Sequence, residues 1–444
     1  MQIQLSDHFT YGKLLRFTLP SIVTMIFTSI YSVVDGLFVS NLVGELALSA
    51  VNIIFPVSMI FAAFGFMLGS GGSAIVARTM GEGKPELANR YFTMIILCVV
   101  GLGTVFSVVG ALLIEPIARL AGASELLMDG CVSYGRILLG GTVAFMLQMS
   151  FQVFCVTAEL PKMGLAVSLA SGATNIVMDY VLIALCDMGI AGAAWGTVLS
   201  YVVGGGLPLL YFLRPKRGKL RLCHTRLYPR ELKNACVNGS SELMSNLSAS
   251  LISVLYNLQL MRLVGESGVA AYSVMMYVDF AFAAVFLGFS MGVGPVISFH
   301  FGADNREELK GLLRRSLTVI FICSLAMVAL SELLARPLAA AFVGYSPALM
   351  DMTVHGFRIF ALSYLFVGFG IFGSGLFTDL CNGFVSALIS FLRTFLFRGG
   401  MVFLLPLALK LDGIWLAVVV ADGLGAVVAL ALIWSNRERY HYLP

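Results

Sequence analysis

Twelve apolar stretches run through this sequence, each near the ~20 residues that a helix needs to cross the hydrocarbon of a bilayer. They fall at about 14–38, 50–77, 91–114, 132–157, 163–186, 190–213, 235–261, 269–299, 312–334, 353–378, 384–409 and 413–434. A chain with that pattern is expected to be an all-α polytopic membrane protein. Composition agrees. Of 444 residues, 59% are apolar and only 12% charged, against about a quarter charged in ordinary soluble domains. The mean hydropathy is +0.93. The polar start, MQIQLSDHFTYGKLLRF, has no small-residue cleavage site, so the first stretch is expected to stay as a helix.

Lys and Arg set the orientation, because they accumulate on the cytoplasmic side of membrane proteins. Twenty of the 28 fall at the two ends, in alternate connections, or in the segment RPKRGKLRLCHTRLYPRELK from Arg214 to Lys233. Four fall on the opposite side (Arg119, Arg262, Arg336 and Lys410), and four lie inside the stretches. Both termini and the 214–233 linker are therefore expected to face the cytoplasm of a plasma (inner) membrane.

The chain also repeats itself. Leu42-Val43-Gly44-Glu45 recurs as Leu263-Val264-Gly265-Glu266, a shift of 221, and Gly71 and Gly81 meet Gly292 and Gly302 at the same shift. Leu127-Met128-Asp129 recurs as Leu349-Met350-Asp351, a shift of 222. Two patches in nearly one register indicate a duplication. Residues 1–213 form one six-span lobe, 214–233 a basic linker, and 234–444 a second lobe. Six spans per copy insert both copies the same way up, which places the expected substrate site between them near mid-membrane.

Charges inside such spans cost about 2.5–3.5 kcal/mol each on insertion scales, so each asks for a role or a partner. Asn175 and Asp179 are four residues apart and share a helix face. Thr197, in the next span, lies at a depth where it can meet them, and Gln152 is a further candidate. Carboxylate, amide and hydroxyl together suit a proton or a hard cation; a polar clasp between helices is the plain alternative. Pro20 can bend the first span. Asp35 follows it, at a depth that also suits a wetted helix end. In the second copy, the four counterparts of Asp35, Asn175, Asp179 and Thr197 are Tyr256, Leu396, Gly400 and Val418, which argues for a function confined to the first copy. Asp279, beside Tyr277 and Phe280, could attract an organic cation by charge and cation–π contact; Asp279 and Asp422 could instead pair with Arg393 or Arg398. Glu242, opening the seventh span, reads as a mouth or capping residue or as part of a binding wall. Met276 stands with Met275 and Met291 as a flexible apolar surface suited to varied ligands, or simply as packing.

Other classes are excluded by what the chain lacks. There is no phosphate-binding GxxxxGK[ST] loop, no HExxH, GxSxG or zinc spacing, and no basic stretch interleaved with aromatics. An enzyme, a bound cofactor, a nucleotide-driven pump and a nucleic-acid partner are not expected, nor is an obligate protein partner. The eight cysteines form no CxxC pair and read as small hydrophobes.

The order of these features resembles the multidrug and toxic compound extrusion (MATE) family over nearly the whole chain. The resemblance rests on six plus six spans, the basic central linker, and Pro20 followed fifteen residues later by Asp35. It rests also on the Gly44-to-Ala50 turn, Asn175-x-x-x-Asp179, and Thr197 in the sixth span. It implies a V-shaped pair of lobes that extrudes small organic cations in exchange for protons or sodium. It implies too that Asp35 matches an ion-binding Asp, with possible Na⁺ at Asp35, Asn175 and Asp179. Some relatives bind sodium in the second lobe through acids on the seventh and tenth spans; here the tenth span has no acid before Asp379. Two rivals stand beside antiport: a flippase for lipid-linked precursors, and a scaffold or receptor that moves nothing.

Overall fold

The computed structural model describes residues 3–43, 45–214, 218–343 and 346–442, and of residues 32–42, 45, 48, 341 and 342 the backbone alone. The first copy holds α1 (Tyr11–Leu42), α2 (Glu45–Gly81), α3 (Pro85–Leu112), short α4 (Ile114–Leu120), α5 (Glu125–Gly140), α6 (Thr142–Thr157), α7 (Pro161–Asp179) and α8 (Gly189–Leu213). The second holds α9 (Pro229–Leu263), α10 (Glu266–Gly302), α11 (Arg306–Val343), α12 (Pro347–Ala361), α13 (Tyr364–Asp379), α14 (Gly383–Ser390), α15 (Arg398–Ser435) and short α16 (Arg437–Tyr440). Wider π-turns continue α7 over Tyr180–Leu185 and join α14 to α15 over Phe391–Phe397. Pro85, Pro161, Pro229 and Pro347 each stand at the first helical turn, where a missing N–H costs nothing and φ is already helical.

Eight of the described helical segments are long and apolar enough to cross a membrane. The pairs α5–α6 and α12–α13, bent by 52° and 49°, make two more. Their breaks, at Gly141 and at Leu362–Ser363, hold the same place in the two copies. The last two spans come from physical accounting. The Gly383–Ser435 segment has 53 residues, about 80 Å of helix and more than twice the hydrocarbon thickness. It turns at Lys410, whose φ of 51° and ψ of −125° leave the helix. α9 is the twelfth span. Its polar side is spent on protein rather than lipid: Asn238 Oδ1 accepts the Gly383 N–H at 3.0 Å, and Thr378 donates to the Asn238 carbonyl at 3.2 Å.

α9 begins at Pro229, inside the segment expected as linker. What precedes it is no slack tether. Arg221 N–H donates to Asn89 and Cys223 N–H to Thr93, at 2.8 and 3.0 Å, so the segment lies along α3.

The two copies meet through a pseudo-symmetric seam. A Cβ added at Gly81 would strike the carbonyl of Phe299, and one at Gly302 would strike that of Arg78; a shift of 221 relates both pairs. Gly71 on α2 faces Ala235 and Gly239 on α9, while its counterpart Gly292 on α10 faces Thr18 on α1, the counterpart of Gly239. Small residues let backbones approach this closely, as they do between membrane helices generally. The seam runs as far as Ser29, whose hydroxyl reaches the Phe280 carbonyl at 3.3 Å.

A strap of residues 3–10 crosses beneath both copies. Leu5 and Phe9 are fully buried. Leu5 N–H donates to Glu159 of the first copy and Phe9 N–H to Glu308 of the second, at 2.8 and 3.0 Å. Lys219 of the linker also meets Glu159, at 2.7 Å. The strap, Lys219 of the linker and the α6–α7 and α10–α11 turns therefore share one side, here termed the basic face, where Tyr440 also packs on Phe301.

Candidate functional site

The polar set of the first copy is assembled by α6, α7 and α8. Asp179 closes α7 and is wholly buried; Asn175, one turn earlier, is 1% exposed. The two share a face, as their spacing requires. Gly196 on α8 makes room for the carboxylate, since a Cβ there would overlap Asp179 Oδ1. Thr197 is the next residue, and its hydroxyl donates to the Ala193 carbonyl at 3.0 Å, which leaves its oxygen free only to accept. The Asn175 side-chain carbonyl has no hydrogen-bond partner among the described residues. Asn175 and Asp179 thus share a face of α7, Gly196 of α8 stands against the carboxylate, and Thr197 follows it in the chain.

The network continues into α6. Ser200 donates to the Thr197 carbonyl at 2.7 Å, Ser171 donates to the Ser200 carbonyl at 2.7 Å, and Gln148 donates to Ser171 at 3.2 Å. Gln152 lies one turn from Gln148 and lines a small cavity with it, Ser168 and Gly204. It flanks the set without a hydrogen bond to it among the described residues. Reading the sequence alone does not single out Gly196, Gln148, Ser171 or Ser200. The available signal was weak: small and polar residues at helical spacing facing one another across α6, α7 and α8.

The side chain of Asp35 lies outside the described residues. Its helix is held against α7 by Phe27, which packs over Gly172. Pro20 is buried within α1, and the helix runs through it without a break, its carbonyl accepting from Thr24 at 2.8 Å.

The second copy carries a different chemistry. Asp422 is fully buried and takes a bidentate pair from Arg398, with contacts of 2.9–3.2 Å. Arg393 is buried over Gly370 and Gly425, and its Nε finds no partner among the described residues. Of the two pairings open to Asp279 and Asp422, the close one is Arg398 with Asp422. Asp279 is half-buried within electrostatic reach of Arg398, Asp422 and Tyr364. Tyr277 and Phe280 are 53% and 67% exposed. Residues two apart on a helix point some 200° apart, so Tyr277 and Asp279 are not brought onto one face. Met276 is half-buried beside the second copy's core. Glu242 is not at a helix mouth, because α9 starts thirteen residues earlier; it lies inside, with Asp379 and Arg393 as its charged neighbours. Where the first copy has Asp35, the second has Tyr256, buried and stacked on Tyr272 at 5.1 Å. No group of three or more metal-binding side chains occurs among the described residues.

A family model bears on this arrangement directly. The MatE model matches residues 20–181 and again residues 243–402, once for each copy. This chain belongs to the MatE family. Within that family's neighbourhood, it is similar to the multidrug export protein MepA of Staphylococcus haemolyticus. The two are 21% identical over 434 residues, covering 97% of this chain and 94% of the other. Among solved structures it is similar to an outward-facing conformation of a multidrug resistance MATE family transporter of the MOP superfamily. That likeness has a TM-score of 0.93 at 23% identity and covers 100% and 99% of the two chains. It is also similar to a MATE structure in complex with MaL6, with a TM-score of 0.91, 23% identity, and 98% and 97% covered. At these identities the structural likeness carries the fold: twelve spans in two lobes.

Proposed function

We propose that this MatE chain is a secondary active antiporter that exports small organic cations from the cell in exchange for protons, or less readily for sodium. One observation carries the coupling: a wholly buried carboxylate, Asp179, packed on Gly196 and one turn from Asn175, in one copy of a duplicated fold and not in the other. A clasp that served architecture alone would more often persist in both copies. The multidrug export named for the relatives supports the direction and the cargo class. The Lys and Arg distribution supports a plasma-membrane protein with the basic face in the cytoplasm.

On that orientation the seam closes the cytoplasmic end, and the resting form is outward-facing. Asp35 lies eight residues beyond Phe27, and Asp179 seven beyond Gly172 on the neighbouring helix. The backbone register of α1 and α7 thus sets the two acids at similar depth. Protonation of this pair removes the charge that holds the polar set together, and α1 shifts about Pro20 against α7, displacing the cargo. Exchange of one proton for one monovalent cation moves no net charge, so the pH gradient drives it at about 1.4 kcal/mol, or ten-fold, per pH unit; each further proton adds about 2.3 kcal/mol per 100 mV.

The test is purified protein in liposomes loaded with ethidium, with a proton gradient and a sodium gradient imposed separately. Proton-driven movement that is lost in Asp35→Asn and in Asp179→Asn is expected. Normal export by both variants sinks the coupling site. Movement on sodium alone reassigns the ion. Immobility under both gradients turns the reading toward a flippase or a protein that moves nothing.

A further inference from the structure

We infer that the basic face carries a binding slot for one anionic phospholipid, set across the seam between the two copies. The slot is a cavity of about 610 Å³. One wall is the α2–α3 turn, with Arg78 and Lys84; the other is the start of α9, with Arg230 and Lys233, and the α13–α14 turn. Four cations face two acids. Glu82 is shared between Arg78 and Lys84, at 3.2 and 3.0 Å, and Glu231 accepts from Asn234 at 3.3 Å. Arg230 and Lys233 are exposed and have no ion pair among the described residues. The cavity therefore has a net charge of +2 and two cations to spend on a ligand.

Its inner wall adds a second observation. Asn238 is 3% exposed; its carbonyl oxygen accepts from Gly383, and its Nδ2 makes no bond to nitrogen or oxygen among the described residues and has only the Cys381 thiol beside it. Sulfur is a weak acceptor for a buried amide N–H, and an oxyanion is the stronger acceptor that the surrounding cations would bring. The same cavity is lined by Val237 and Phe384, which are 43% and 74% exposed. Apolar surface beside cations suits a diacyl phosphate, with its headgroup among Arg230, Lys233 and Asn238 and an acyl chain over Phe384. Free phosphate would make no use of that surface. Basic pockets between spans on the cytoplasmic side are where anionic headgroups bind in general. Because the walls come from both copies, an occupied slot ties them together at the seam. None of this depends on transport.

The experiment is native mass spectrometry of the whole protein released from micelles with dioleoylphosphatidylglycerol or dioleoylphosphatidylcholine, alongside thermal melting in each. Arg230→Gln/Lys233→Gln is compared with Arg437→Gln/Arg439→Gln, which removes two cations of the same face outside the slot. Arg230, Lys233 and Arg439 are exposed and Arg437 is half-buried, and monodispersity of each variant in the zwitterionic lipid confirms folding. The expected result is one retained phosphatidylglycerol at a concentration where phosphatidylcholine is lost. Retention should fall roughly ten-fold or more in the slot variant and hold in the control, since each interfacial cation is worth about five-fold in affinity. Equal retention in both variants overturns the proposal, as does equal retention of the zwitterionic lipid. Inorganic phosphate that alone raises the melting point as much as the lipid overturns the assignment to a lipid.

Discussion

Asp179 is surrounded by protein on every side, and its carboxylate packs on Gly196 of α8. Asp179→Asn keeps the shape and removes the titratable group. It is expected to fold normally and to lose at least ten-fold in proton-driven export, read as ethidium flux in liposomes. Gly196→Ala tests the packing: the added methyl meets Asp179, so both the melting temperature and the flux should fall. Arg398 and Asp422 are a contrasting case, a buried acid already neutralised. Removing one partner leaves a buried charge alone, which costs about 3–5 kcal/mol, whereas removing both is far milder. Arg398→Gln should therefore melt well below the wild type, and Arg398→Gln/Asp422→Asn should recover most of the loss. An equal loss in both would show that the pair does not decide stability.

At the scale of helices, the two copies are joined by α2 on α9 and α10 on α1, and glycine sets the distance of approach. Gly71, Gly239, Gly81 and Gly302 each face a backbone atom across the seam. A leucine at Gly71 or Gly239 cannot be absorbed by side-chain repacking, because the obstacle is main chain. Spin labels at the equivalent positions Glu86 and Glu307, both on the basic face, are expected to move apart by several Å in Gly71→Leu. An unchanged distance distribution would mean that the seam yields elsewhere. Helix α9 shows why apolar length alone misses a span. Asn238 and Ser241 bond to Thr378 of α13 and Gly383 of α14, and Gln259 to Val402 of α15; these hydrogen bonds replace those that water would have made.

At the scale of the whole molecule, the strap of residues 3–10 is bonded to acids of both copies. Glu159 and Glu308 accept the Leu5 and Phe9 amides, and Glu308 is further held by His8 at 2.6 Å and Arg315 at 3.2 Å. Glu159→Gln and Glu308→Gln are expected to raise hydrogen exchange at Leu5 and Phe9 about ten-fold or more, with α7 unchanged. Exchange that rises equally in α7 would mark general unfolding instead. Near the strap's end, a hydrogen bond from Lys13 holds the Asp7 carboxyl below its ordinary range. A depressed carboxylate contributes its stability above the unfolded value and loses it as pH falls below. That contact is therefore expected to survive a change from pH 7 to pH 5.

The twelve spans, the duplication, the basic face and the shared face of Asn175 and Asp179 were all legible in the sequence. Each depends on local quantities: the length of an apolar run, a repeated register, the placement of Lys and Arg, a spacing of four residues. The start of α9 at Pro229 was blurred by the basic segment around it, because charge there concealed helix. Other features depend on how one helix is rotated and shifted against another. Gly196 cradles Asp179, Arg398 rather than Arg393 takes Asp422, Glu242 lies inside rather than at a mouth, and Tyr277 turns away from Asp279. Neither a pattern along the chain nor a count of charges encodes that rotation. It is set by close packing among many side chains and backbones at once, which only the tertiary structure brings together.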